Sequence, residues 1–266
     1  MRERTELLQP EPAQALAALL DVPPPDPDAG LPPLWHWLYL LDRPAQADLG
    51  PDGHPVRNAV PQPPGPDLRR MWAGGRVRTR GVLRCGETAT RRSEVLSVRD
   101  KQGRSGSFTL VTARHRIEQA GRVVVDEEQD IVYRTPGPVT AADDGPAVPP
   151  ADDEWSIDVT PTLLFRFSAL TYNAHRIHYD RDYARDVEGY PGLLTHGPLQ
   201  ALAMAEAARA RGWHGDLSFE YRLVAPLFDH QGMVVRATAD GRTSVRDVHG
   251  RRTATGTLIA GSANFA

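Results

Sequence analysis

The chain has 266 residues, 40% of them hydrophobic, and 31 basic against 34 acidic side chains give a net charge of -3. That length allows one large domain or two small ones with a substantial core, and the near-balanced charge supplies no cationic field for nucleic acid. The single cysteine, Cys85, excludes an intramolecular disulfide framework and a cysteine-rich zinc site; no apolar run reaches the ~18 residues of a bilayer span, and the charged start MRERTELLQPEP has no signal core, so a cytoplasmic protein is expected.

In chain order, residues 5–20 read as a short helix, stopped by the proline-rich run 22–33. LWHWLYLL (34–41) is a compact apolar segment suited to a short buried helix. Residues 42–68, rich in Pro, Gly and Asp, read as an irregular loop over a surface. From 76 to 134 the texture alternates apolar with polar residues around turn sequences such as QAGR, which predicts an antiparallel meander. The stretch 136–154, with its prolines and paired aspartates, is the linker candidate. It divides the chain into an N-terminal domain, 1–135, and a C-terminal domain, 155–266.

In the second block TLLFRFSALT (162–171) reads as a strand, and a loop rich in His and Tyr follows. PLQALAMAEAARAR (198–211) is a helix opened by Pro198, and alternating strands complete the chain. Each half thus holds an apolar helical segment and antiparallel strands. A faint echo between 75–83 and 219–227 points to a duplicated α+β module.

The segment FRFSALTYNAHRIHYDRDYARDVEGYPGLLTHGPLQA (165–201) carries the chemistry. His175 and His178 are neutral-pH proton carriers. Thr195-His196-Gly197 leads into a helix whose N-terminal amides suit a developing oxyanion. Gly197 lets a substrate carbonyl approach the backbone, and Asn173 can orient a water through its amide. These parts suit α-proton chemistry beside a carbonyl.

This segment resembles the hydratase motif of the MaoC-like, double hot-dog enoyl-thioester hydratases. FSALTYNAHRIHYD is similar to the branch of hydroxyacyl-thioester dehydratases type 2 and mesaconyl- and itaconyl-CoA hydratases. LPPLWHWLYLL, RRMWAGG, GRSG (103–106) and EEQDIVYR, in that order, also resemble that branch. The resemblance implies an α+β double hot-dog: two antiparallel sheets, each wrapped around a helix, the N-terminal one holding the shorter 34–41 helix. It matches His178 to the catalytic histidine and Gly197 to the glycine whose amide polarises the thioester carbonyl. Asn173 stands where the wider family has its catalytic aspartate, and His175 where it has asparagine. An amide cannot act as a carboxylate base, so the acid/base burden falls on His178, with His175 as a helper.

The implied activity is that of a hydro-lyase adding water to, or removing it from, an α,β-unsaturated acyl thioester, favouring a short, branched, dicarboxylic acyl-CoA. The alternatives are a dehydratase of acyl-carrier-protein thioesters and a non-catalytic acyl-thioester-binding protein. Tyr172, Arg176, Thr195 and His196 are the substrate-binding candidates, Arg176 as partner of a second carboxylate. The blander readings are a buried tyrosine for Tyr172 and helix capping for Thr195 or His196. Arg69-Arg70, Arg91-Arg92 and Arg251-Arg252 suit coenzyme A phosphates or solvated strand edges. No resident cofactor is expected beyond the coenzyme A of the substrate. A zinc site on His175 and His178 would need Asp180 or His196 as well, and no metal is assigned. A homodimer is open.

Overall fold

The computed structural model describes residues 2–56, 68–103, 106–135, 137 and 145–261. The chain opens with strand β1 (Arg2–Leu7) and only then forms helix α1 (Glu11–Leu20). The single helix expected over 5–20 is therefore corrected: Gln9-Pro10 divides the two elements, and Pro12 sits in the first turn, where a missing N–H costs nothing. The segment 34–41 contributes one 3-10 turn, Trp35–Leu38, with Trp35, His36 and Leu38 buried.

Strands β2 (Arg69–Thr79), β3 (Thr88–Gly103), β4 (Gly106–Gln119) and β5 (Arg122–Arg134) follow. β3, β4 and β5 form the expected meander, but β2 pairs with β5. Between β4 and β5, Ala120 and Gly121 take φ of 49° and 73°, both positive as a type I′ hairpin turn requires. Residues 104 and 105 of the GRSG stretch lie outside the described residues, as do 57–67 of the expected loop and 136 and 138–144 of the linker candidate.

Strand β6 (Glu154–Ile157) begins the second half and leads to helix α2 (Pro161–Leu170). This corrects the strand expected over 162–171. Thr160 caps the helix by accepting from the Leu163 N–H at 3.1 Å, and Pro161 follows it. The buried positions Leu164, Phe167 and Ser168 have helical spacing. Helix α3 (Gly197–Arg209) precedes β7 (Leu217–Leu223), β8 (Met233–Ala237), β9 (Arg242–Arg246) and β10 (Arg252–Ala260).

The ten strands of the described residues join one antiparallel sheet in the order β1-β3-β4-β5-β2-β7-β10-β9-β8-β6. Numbered within its own half, each set of five runs 1-3-4-5-2, so the fold is a duplication. The two sets meet where β2 pairs antiparallel with β7, from Gly74 opposite Arg222 to Thr79 opposite Leu217. The echoing segments 75–83 and 219–227 thus begin in strands that face each other across the seam. The two sheets of the expectation are halves of one continuous sheet.

Helix α3 packs on β8, β9, β10 and β2. Most of its circumference is buried, with Leu199, Leu202 and Met204 fully enclosed, which contributes roughly 1.5–3 kcal/mol per side chain. Two tryptophan N–H groups bind the 3-10 turn to both halves. Trp35 Nε1 donates to Glu206 of α3 at 2.7 Å, and Trp37 Nε1 donates to Glu127 of β5 at 2.8 Å.

Candidate active site

After α2 the chain turns sharply through Tyr172, at φ 52°, into the loop that carries Asn173 and His175. The Asn173 Oδ1 accepts from the His175 N–H at 3.0 Å. This turn occupies the amide oxygen and leaves the amide NH2 as the group that can still donate. A 3-10 turn, Arg176–His178, then buries the His178 ring.

His178 Nδ1 lies 2.7 Å from the Leu194 carbonyl. A carbonyl can only accept, so Nδ1 carries the proton and Nε2 keeps its lone pair. Burial holds the imidazole down at about 4, against the opposing influence of that carbonyl, so the ring is neutral at physiological pH.

His196 lies flat on His178, with centroids 3.7 Å apart and planes at 18°. Its Nε2 meets Ser168 Oγ at 2.8 Å, which ties α2 to the start of α3. Burial, then the neighbouring His178, lowers its pKa well below the ordinary value. Although His196 precedes α3, it makes no side-chain capping bond, so the capping alternative is not realised there. Its Nδ1 and the Thr195 hydroxyl are buried and have no hydrogen-bond partner among the described residues. Buried polar atoms of that kind call for an explanation, and a ligand is one.

Gly197 opens α3. A Cβ there would stand 2.2 Å from Leu223 Cδ1 and 3.7 Å from Trp72 Cβ, so Leu223 of β7 crowds this position and Trp72 of β2 lies at contact distance. At the first turn of α3 its N–H has no acceptor within the helix and lies at the positive end of the helix dipole.

The N-terminal half supplies residues that the sequence reading passed over. A tight turn at 49–55 presses its tip onto the histidine loop. The Arg176 N–H donates to Asp52 O at 2.9 Å, and Arg176 Nη1 donates to Pro51 O at 3.0 Å. Gly53 is at φ 87°, and a Cβ there would fall 1.8 Å from the Ala174 carbonyl; only glycine allows this approach. The turn delivers His54, whose ring lies 3.9 Å from that of His175. Asp52 Oδ2 is 2.9 Å from His54 Nδ1. His175 and His178 meet edge to face at 5.4 Å, so His54, His175, His178 and His196 form one chain of rings.

Burial, and then the neighbouring His54, His178 and Arg70, keep His175 well below its ordinary pKa. Burial also lowers His54, and Asp52 opposes that effect. Asp52, His54 and His175 bring three ligand-type atoms within 4.8 Å of one another. The Arg70 charge acts on both of these histidines and opposes a cation there.

The other expected residues are placed differently. Tyr172 is 53% exposed. Arg176 is committed to Asp180, with Nε at 3.0 Å and Nη2 at 2.8 Å, and lies 4.1 Å over the Tyr183 ring. The only sequence signal for the 49–55 turn is PDGHP, a turn motif that carries a histidine.

The family of hydroxyacyl-thioester dehydratases type 2 matches residues 34–229. A mesaconyl-C(4)-CoA hydratase of Chloroflexus aurantiacus is 48% identical over 223 residues, covering 82% of this chain and 79% of the relative. In fold, the chain is similar to a MaoC-like dehydratase of Phytophthora capsici (TM-score 0.65, 17% identity, 98% and 94% of the two chains). It is also similar to a conserved Mycobacterium tuberculosis protein described as having a double hotdog fold (TM-score 0.51, 18% identity, 96% and 92%).

Proposed function

Because the chain belongs to the family of hydroxyacyl-thioester dehydratases type 2, hydro-lyases built here on an α+β double hot-dog, we propose that it reversibly hydrates a dicarboxylic enoyl-CoA such as mesaconyl-C4-CoA. The identity to the Chloroflexus hydratase over most of both chains supports that substrate class. In a mesaconyl C4 thioester the carbon that receives water also carries the free carboxylate.

One observation carries the assignment of the base: His178 is buried and neutral, with Nδ1 committed to a carbonyl and Nε2 without a hydrogen bond among the described residues. In this reading His178 Nε2 takes a proton from water as the water oxygen bonds to the β-carbon. The double-bond electrons move into the thioester carbonyl. The Gly197 N–H and the unpartnered Thr195 hydroxyl hold the resulting enolate oxygen. The imidazolium, stabilised through Nδ1 by the Leu194 carbonyl, returns its proton to the α-carbon. Asn173 donates its NH2 to the water. Dehydration is the same path reversed. His175 packs behind His178 and, held neutral, adds no charge to the site.

The test is purified protein with mesaconyl-C4-CoA and crotonyl-CoA, following loss of enoyl-thioester absorbance and gain of the mass of water. Hydration of the dicarboxylic ester is expected to be the faster. Failure to hydrate either ester, with hydration of an acyl-carrier-protein thioester instead, would move the substrate to the carrier protein. Binding without turnover would leave only an acyl-thioester-binding protein.

A further inference from the structure

Most of the arginines singled out in the sequence are already committed. Arg176 is held by Asp180 and Pro51, Arg69 by Glu188, Arg91 by Asp42, Arg92 by Glu3 and Glu118, and Arg251 by Asp247. Arg70 differs: among the described residues its guanidinium makes no hydrogen bond and no ion pair. Arg70 lies on β2 opposite Tyr133 of β5, two residues before the Trp72 that lies at contact distance from the Gly197 position. It retains some contact with solvent, but desolvation is the leading influence on its guanidinium. The carboxylate nearest in its influence, Asp52, already receives the His54 backbone N–H on Oδ1 and the His54 ring on Oδ2. A desolvated guanidinium without a counter-ion is unfavourable, and its planar fork fits a carboxylate through two parallel bonds.

We propose that Arg70 is the specificity-determining residue of the site, binding the free carboxylate of a dicarboxylic acyl thioester beside His54 and His175. This deepens the hydratase reading and rests on it for the place of the acyl group. A carboxylate on the β-carbon lies within one bond of the atom that receives water, so its anchor belongs beside the histidines. The diphosphate of coenzyme A, by contrast, lies at the far end of a pantetheine chain. Bound there, the carboxylate supplies the counter-ion that Arg70 lacks among the described residues and fixes the β-carbon relative to His178.

Succinyl-CoA and butyryl-CoA test this without turnover, because they differ only by a terminal carboxylate in place of a methyl group. Their Kd values are measured by calorimetry on the wild type, Arg70→Met, Arg70→Gln and Arg70→Lys, with folding checked by thermal melting. The wild type is expected to prefer succinyl-CoA by about 10–100-fold. The Met and Gln variants are expected to lose that preference with butyryl-CoA unchanged, and Lys, a point charge without the fork, to keep part of it.

Wild type without a preference, or neutral variants that retain it, overturns the proposal. So does equal weakening of both esters, as would follow if Arg70 held a phosphate of the shared coenzyme A. Hydration of mesaconyl-C4-CoA is assayed on the same wild-type preparation. Its absence alongside an Arg70-dependent preference would remove the hydratase reading and leave the carboxylate site. Its presence without the preference would do the reverse.

Discussion

The connection between the first and second strands of each half carries buried histidine, and His36 in one and His178 in the other are treated in opposite ways. In the N-terminal half the turn Trp35–Leu38 places His36 Nε2 3.0 Å from Glu127, which also receives Trp37 Nε1 and Gln129 Nε2. Burial pushes the Glu127 carboxyl up, but the bonds from His36 and Gln129 and the nearby His115 outweigh it and hold the group at about 2. In the C-terminal half the connection contains α3, and the histidine beside it, His178, meets a carbonyl and another imidazole instead. A buried imidazole on a carboxylate is a structural fastening. One whose second ring nitrogen has no partner among the described residues is able to act as a base, as the proposed mechanism requires. Duplication supplied two equivalent connections; a carboxylate in one and a helix N-terminus in the other separate structure from chemistry.

The strongest way to break this comparison is to remove each histidine in turn. His178→Gln is expected to lower hydration turnover by about 10²–10⁴-fold with the melting temperature nearly unchanged. His36→Phe, which leaves buried Glu127 short of a donor, is expected to cost about 1–3 kcal/mol of stability and to leave turnover within a few fold. Parallel denaturant melts and steady-state assays check both, and reversed outcomes would interchange the roles of the two halves.

A second test addresses the contact between the halves. Gly53→Ala places a methyl group against the Ala174 carbonyl at a positive φ and must lift the 49–55 turn off the histidine loop. Turnover is expected to fall by about 10–100-fold, because a small misplacement near the reacting atoms is costly. Crystallography or exchange of the Arg176 amide, which donates to Asp52 O, would locate the change. Normal turnover would mean that the N-terminal turn does not position the site.

Acid sharpens the contrast further. His54, His175, His178 and His196 all have folded-state pKa values below the ordinary 6.5. Below pH 6.5 the unfolded chain therefore binds protons that the folded protein refuses, and stability falls as pH drops. For His178, between 6.5 and about 4, the loss is about 3 kcal/mol. Urea melts from pH 8 to pH 4.5 are expected to show this decline, and His178→Gln is expected to reduce its slope.

Much of this was legible in the sequence. Strand alternation and a helix beginning near Pro198 read directly, because local patterns encode them, and Asn173, His175, His178 and Gly197 were singled out by residue type and by the resemblance of their segment. Helix α2 did not, since TLLFRFSALT alternates like a strand, and its Thr160 cap outweighs that pattern only once Leu164, Phe167 and Ser168 have a surface to pack on. His54 and Asp52, and the place of Arg70 beside them, were hidden for a different reason. They reach the site through a turn and a strand more than a hundred residues before the histidine loop, and no local period records that meeting. Arg176 looked free in sequence because its partner Asp180, four residues on, could equally have faced elsewhere.

The central claim is that one neutral imidazole, His178, both activates the water and protonates the α-carbon. Hydration of mesaconyl-C4-CoA in D2O, with the product analysed by NMR, tests it most directly. A single base requires one deuterium at the α-carbon, on the same face as the new hydroxyl. Deuterium on the opposite face would require a second proton carrier and would contradict the account.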